Sequence, residues 1–121
     1  MIGIGIDLVD VDRFRRSLER TPTMRTRLFT DVELAYAATR ADPVPALAAR
    51  FAAREAVMKA LGVGLGAFEF HDVWVERADS GRPSLAFVGR AADLAATAGV
   101  VRWHLSLSHT ALTAAAYVVA E

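Results

Sequence analysis

The stretch "RFAAREAVMKALG", residues 50–62, decides how this chain is organised. Every residue in it that is neither apolar nor glycine is fully charged: Arg50, Arg54, Glu55 and Lys59. Extended upstream, the apolar spacing predicts a helix over about 44–61, stopped by Gly62 and Gly64. At about 100° per residue, Leu47, Phe51, Val57, Met58 and Leu61 make one broad face of large side chains. Ala49, Ala52, Ala53, Ala56 and Ala60 fill a second face, about 120° wide, that lets another backbone pack closely. A helix apolar around most of its circumference is a buried helix, and charges on it are costly unless paired or liganded. Glu55 and Lys59 stand at i, i+4, where the simplest reading is a surface ion pair. Arg50 and Arg54 flank the large apolar arc.

Upstream, Ile2, Ile4, Ile6 and Leu8 alternate with Gly3, Gly5 and Asp7, the period-two pattern of a strand with one apolar face and one glycine face. Two glycines beside an acid indicate that something approaches the backbone there. Asp12 is placed to cap a helix over about 13–20, which "TPT" ends, and "TDVE" at 30–33 fits a capping box opening a helix to about 40. Downstream, 68–77 and 84–88 read as strands joined by the turn-forming "ADSGRP", 89–98 as an Ala-rich helix ending at Gly99, and about 101–108 and 112–119 as two closing strands. The fold class is therefore α+β, one domain over 1–121, with mostly antiparallel pairing because the strand pairs lie close in sequence.

Composition excludes several functions. With no cysteine there are no disulfides, thiolate metal sites or cysteine nucleophiles. The first residues lack a basic n-region and their apolar run breaks at Asp7, unlike a signal peptide, and no apolar run approaches the ~20 residues of a membrane span. A cytoplasmic protein without a membrane partner is expected. The apolar fraction of 54% is slightly high for a chain this short and points to an oligomer. A formal net charge of zero hides an asymmetry: residues 13–27 carry Arg13, Arg15, Arg16, Arg20, Arg25 and Arg27 against Glu19 alone. Such a run is either a solvated face or a docking patch for an acidic partner. Nucleic acid is disfavoured, because Phe14 is the only aromatic in the run and the overall charge is balanced.

Asp7, isolated on a glycine face, and Glu55 make a pair of carboxylates in a chain without thiolates. Such a pair suits a hard cation such as Mg²⁺, which takes one or two protein carboxylates and completes its shell with water and phosphate oxygens. Lys59 and Arg50 then read as phosphate binders on the same helix. His71, beside Asp72, and His104 read as structural.

Three segments, "GIGIDLVDVDRF" at 3–14, "RFAAREAVMKALGVG" at 50–64 and "HLSLSHT" at 104–110, resemble in order and spacing the signatures of the small holo-acyl-carrier-protein synthases. "LFTDVELAY" at 28–36 and "SGRP" at 80–83 are similar to that family's corresponding helix start and hairpin turn, so the resemblance covers essentially the whole chain. It implies the phosphopantetheinyl transferase fold and transfer of 4′-phosphopantetheine from coenzyme A to a serine of an apo acyl carrier protein. It further implies that Asp7 and Glu55 hold Mg²⁺ on the coenzyme A pyrophosphate and that Lys59 contacts the phosphates. Arg50 would lie near the 3′-phosphate, Pro83 would border the adenine pocket, and His109, flanked by Ser108 and Thr110, would lie at the coenzyme A site. Glu55 or a metal-bound water would accept the serine proton. Arg13 is matched to a carrier-docking contact, with Arg16, Arg20, Arg25 and Arg27 as neighbours. The family's homotrimers, with active sites between subunits, would set His109 against a partner's Asp7 and Glu55. Two positions depart from the pattern: Arg54 stands where the family often has Lys, and Thr110 where many members have Asp. The competing reading is a non-catalytic coenzyme A or nucleotide-binding trimer, against which the intact Asp7, Glu55 and Lys59 argue.

Overall fold

How closely the long helix can approach the first strand is set by two glycines. In the computed structural model, which describes all residues 1–121, strand β1 (Gly3–Asp10) runs under helix α4 (Val44–Leu61). A Cβ added at Gly3 would stand 1.9 Å from the Ala60 carbonyl oxygen, and one at Gly5 1.9 Å from that of Ala56. What approaches the glycine face is thus the alanine face of α4, and neither contact leaves room for a side chain. The alternate face of β1 is turned outward, with Ile4, Ile6 and Leu8 all exposed.

Between these elements lie α1 (Val11–Arg20), α2 (Met24–Leu28) and α3 (Asp31–Ala38); after them come β2 (Val73–Arg77), β3 (Pro83–Phe87), α5 (Gly89–Thr97), β4 (Trp103–His109) and β5 (Thr113–Ala120). The strands form a three-stranded antiparallel sheet in the order β1-β5-β4 and a two-stranded β2-β3 hairpin. Closeness in sequence predicts β2-β3 and β4-β5, but the pairing of β1 with β5 joins the two ends of the chain, with Gly3 opposite Ala120. Helix α4 is shared by two cores. Its C-terminal half packs with the sheet, the hairpin and α5, while its N-terminal half packs with α1, α2 and α3. It ends as expected at Gly62, whose φ of 70° is a left-handed cap that glycine adopts without strain.

Several local expectations are corrected. Asp10, not Asp12, caps α1: its carboxylate accepts from the Arg13 N–H at 2.8 Å, and the helix begins at Val11 because Val11 and Phe14 are pulled into the core. The basic stretch after "TPT", for which the sequence pattern predicts no element, contains α2, with Leu28 buried. The segment expected as a strand from 68 opens instead with a 3₁₀ turn at Phe70–Asp72, so that only Val73–Arg77 pairs.

Arg54, whose purpose the sequence leaves open, is fully buried against fully buried Glu33 of α3. Both its terminal nitrogens donate to the Glu33 carboxylate, its Nε donates to the Phe70 carbonyl at 2.8 Å, and Nη1 also donates to the Arg50 carbonyl. Glu33 in turn accepts from the Thr30 N–H, completing the expected capping-box contact, and from the Val75 N–H at 3.1 Å. One ion pair thereby fastens α3, α4 and β2, with its hydrogen-bonding capacity nearly filled, the condition under which buried charge is tolerated.

Two substitutions test this frame by chemical denaturation. Gly5→Ala forces β1 and α4 apart and lowers stability by about 3 kcal/mol, the upper range of overpacking costs. Glu33→Gln leaves the Arg54 charge buried without a counter-charge and costs about 3 kcal/mol, far more than loss of the exposed Arg15–Asp42 pair.

Candidate active site

Strand β1 alternates, so the residue two beyond Gly5 faces α4 as well, and that residue is Asp7. Across from it, α4 presents Glu55 and Lys59 one turn apart. Lys59 does not pair with Glu55. Its ammonium reaches over to β1 and donates to the Ile6 carbonyl at 2.8 Å and to Asp7 Oδ1 at 3.1 Å. The simplest reading of the spacing, an i, i+4 ion pair, thus gives way to a contact between elements, because the close approach of β1 brings a carboxylate and a carbonyl within reach of the ammonium. Burial pushes the Glu55 carboxyl above the ordinary carboxylate range, and the negative charge of Asp7 pushes it further, with Lys59 opposing. A carboxylate whose ionisation is disfavoured by burial and by a second carboxylate marks a place where added positive charge is stabilising.

Asp7 and Glu55 line a cleft together with Asp10, Met24 and Phe51 and with Arg13, Phe14 and Ser17 of α1. On α1, burial of Val11, Phe14 and Leu18 turns Arg13, Arg16 and Arg20 outward on a common side. Arg15 points the other way and is bound in a bidentate pair by Asp42 at 2.7 and 3.0 Å. That pairing raises the Arg15 guanidinium and lowers the Asp42 carboxyl from their ordinary values, and it removes Arg15 from the free basic face.

Arg50, Pro83 and His109 meet in a second pocket, bounded also by Tyr36, Arg40, Asp42, Arg77 and Leu107. Arg50 is only 3% exposed, yet its Nε and Nη2 have no hydrogen-bond partner; its one bond is from Nη1 to the Ala46 carbonyl. Burial lowers its affinity for its proton, the charge of Glu33 opposing. Sequence reasoning missed Tyr36, Arg40 and Arg77 here. Tyr36 and Arg40 lie on and just beyond a helix read only for its cap, and Arg77 was read only as part of a strand, although it stands directly opposite Pro83 in the hairpin register.

Two of the sequence-predicted residues lie elsewhere. Ser108 lies opposite Ala115, on the outward face with Leu8, and alternation along β4 turns it away from His109. Thr110 closes the β4-β5 turn, its hydroxyl accepting from the Leu112 and Thr113 N–H groups. His71 bonds the Thr26 carbonyl and ties α2 to the 3₁₀ turn, while His104 lies 3.8 Å from Glu121 at the edge of the sheet.

The model of the 4′-phosphopantetheinyl transferase superfamily matches residues 3–120. This chain belongs to that superfamily. A holo-[acyl-carrier-protein] synthase of Streptomyces avermitilis is 52% identical over 122 residues, covering 100% of this chain and 98% of the relative. Among solved structures, a holo-[acyl-carrier-protein] synthase from Neisseria meningitidis superposes with a TM-score of 0.90 at 33% identity, covering 100% of this chain and 98% of that one. One from Bacillus anthracis, in complex with CoA (3′,5′-ADP), gives 0.81 at 32% identity, covering 99% and 96%. The α+β fold with antiparallel sheets around a long helix is that of these transferases.

Proposed function

We propose that this member of the superfamily is a holo-acyl-carrier-protein synthase, moving 4′-phosphopantetheine from coenzyme A to a serine of an apo acyl carrier protein. The observation that carries the reading is that Asp7 and Glu55 line one cleft together with Arg13 of the basic helix α1, while Lys59 donates to Asp7. A nucleotide binder has no need for an anion-docking helix beside its phosphate site, and the relatives matched along the whole chain carry the synthase name.

Asp7 and Glu55 fit Mg²⁺: two carboxylates, one with its charge disfavoured by burial and by the other, form a half-open donor set rather than a cage of three or more protein ligands. When bound there, the ion would neutralise charge on the pyrophosphate oxygens. Lys59 adds a point charge on the same side. It would exchange its contacts with Asp7 and the Ile6 carbonyl for a phosphate oxygen at little cost, since its side chain is 54% exposed. Arg50 would take the 3′-phosphate end, with Pro83 and His109 bordering the adenosine. In the transfer, the carrier serine hydroxyl would give its proton to the Glu55 carboxylate as its oxygen bonds to the phosphorus that bears pantetheine, the bond from that phosphorus to the bridging oxygen breaks, and adenosine 3′,5′-bisphosphate leaves with the electron pair. Arg13, Arg16 and Arg20 would orient the acidic carrier so that its serine enters beside Asp7.

The active unit of this reading is a homotrimer. Ile4, Ile6 and Leu8 of β1 lie exposed in cross-strand rows with Val119, Tyr117 and Ala115 of β5 and His104, Ser106 and Ser108 of β4. A sheet face that apolar is stable in water when another subunit covers it. Association would also bring together two half-sites, the carboxylate cleft and the arginine pocket, that one subunit holds apart.

Transfer is read by mass spectrometry of an apo carrier protein incubated with coenzyme A and Mg²⁺. Asp7→Asn combined with Glu55→Gln lowers the rate by at least about 100-fold, and chelation of Mg²⁺ does the same to the unaltered protein; full activity in either case removes the metal assignment. Arg13→Glu raises the carrier KM by about tenfold and leaves the coenzyme A KM within twofold. Equal changes in both would show that α1 is not the docking face.

A further inference from the structure

Arg50 is a buried cation without a counter-ion of its own. Glu33, the nearest buried carboxylate, is already bound in bidentate fashion by Arg54. What faces Arg50 instead is the ring of Tyr36, whose centroid lies 4.4 Å from the guanidinium carbon. The second guanidinium on that ring is Arg77, at 4.6 Å, from the end of β2. Tyr36 therefore holds two like charges together, each attracted to its π-electrons, at the edge of a pocket that also contains Arg40 and His109. Stacking uses the flat face of a guanidinium and leaves its in-plane N–H groups free, and in Arg50 the Nε and Nη2 donors are free.

The position of Tyr36 follows from the ion pair below it. Arg50 and Arg54 are one turn apart on α4, as Glu33 and Tyr36 are on α3, so the Glu33–Arg54 pair that fastens the two helices brings Tyr36 over Arg50 as its next rung. Buried donors lacking an acceptor cost free energy until one arrives. Two guanidiniums gathered at one aromatic ring match a group with several oxygens and close to two negative charges. A phosphomonoester has these; a phosphodiester or a bridged pyrophosphate unit has a single charge per phosphorus.

We propose that Tyr36 and Arg77 determine the preference of this protein for a ligand with a terminal phosphomonoester, Tyr36 as a positioning residue that aligns Arg50 and Arg77, and Arg77 as a direct contact. The inference rests on the reading of coenzyme A as co-substrate and specifies what recognises its 3′-phosphate. It also accounts for Arg77 standing opposite Pro83 across the hairpin, since one short turn then carries both an adenosine contact and a phosphate contact.

The test compares binding of coenzyme A and 3′-dephospho-coenzyme A by calorimetry, with transfer to an apo carrier protein measured separately. The unaltered protein binds coenzyme A at least about tenfold more tightly than the dephospho form. Tyr36→Leu and Arg77→Gln each reduce that ratio to about threefold or less by weakening coenzyme A alone, whereas Tyr36→Phe, which keeps the ring, retains it. Arg77 is exposed, so its variant folds whatever the effect at Tyr36. An undiminished ratio in Tyr36→Leu or Arg77→Gln, equal weakening of both ligands, or loss of the ratio in Tyr36→Phe would overturn the proposal. No discrimination by the unaltered protein would do the same. Absence of carrier modification with the binding ratio intact would strike the transferase reading and leave the phosphate subsite standing.

Discussion

The contact of the β1 backbone with the alanine face of α4 is the constraint on which the rest depends. Gly3 and Gly5 meet the Ala60 and Ala56 carbonyls at a distance no side chain could fill. Because strand and helix touch at backbone level, side chains of α4 reach β1: Lys59 contacts both Asp7 and the Ile6 carbonyl, and Glu55 lies near enough to Asp7 to feel its charge. A larger residue in place of either glycine would move the carboxylates apart before it touched them. The small residues of the fold and the charged residues of the site are thus parts of one device.

Arg50 and Arg54 show how little burial alone says about role. Both are buried on the same helix one turn apart. Arg54 has a carboxylate and carbonyl oxygens around it and acts as a fastener. Arg50 has an aromatic ring, one carbonyl and two unused donors, and so retains capacity for an anion. The difference lies in what α3 sets against each, Glu33 in one case and Tyr36 in the other, and a helical wheel of α4 contains neither.

Much of the fold was legible because its signals are local. The extent of α4, its glycine stop, the Thr30–Glu33 capping box and the β2-β3 and β4-β5 pairings all follow from spacing within a few residues. The pairing of β1 with β5 was not legible, since nothing in either strand encodes a partner at the other end of the chain. The alternation of β1 revealed two faces but not which one was inside. Ordinarily the isoleucines would be buried, and here the alanine face of α4 selects the glycines. Within the site, Asp7, Glu55 and Lys59 were singled out by type and spacing, but the contact of Lys59 with Asp7 was not legible, because an i, i+4 rule sees only one helix. Ser108, adjacent to His109 in sequence, lies on the other face of β4, as strand alternation requires.

The site divides into two ends of opposite electrostatic character. At one, paired carboxylates disfavour an approaching phosphate unless a cation accompanies it. At the other, unpaired arginines favour a phosphate directly. On the proposed reading, a ligand with a cation-neutralised pyrophosphate at one end and a free monoester at the other would fit in a single orientation, because exchanging the ends would place bare phosphate oxygens against Asp7 and Glu55 and a cation against Arg50 and Arg77. Like-charge contacts of that kind are strongly unfavourable where burial limits screening. Orientation of the nucleotide would then be set by charge before any hydrogen bond to the base is made. On the proposed reading, the reacting phosphorus would lie at the carboxylate end, on the side where α1 turns Arg13, Arg16 and Arg20 outward.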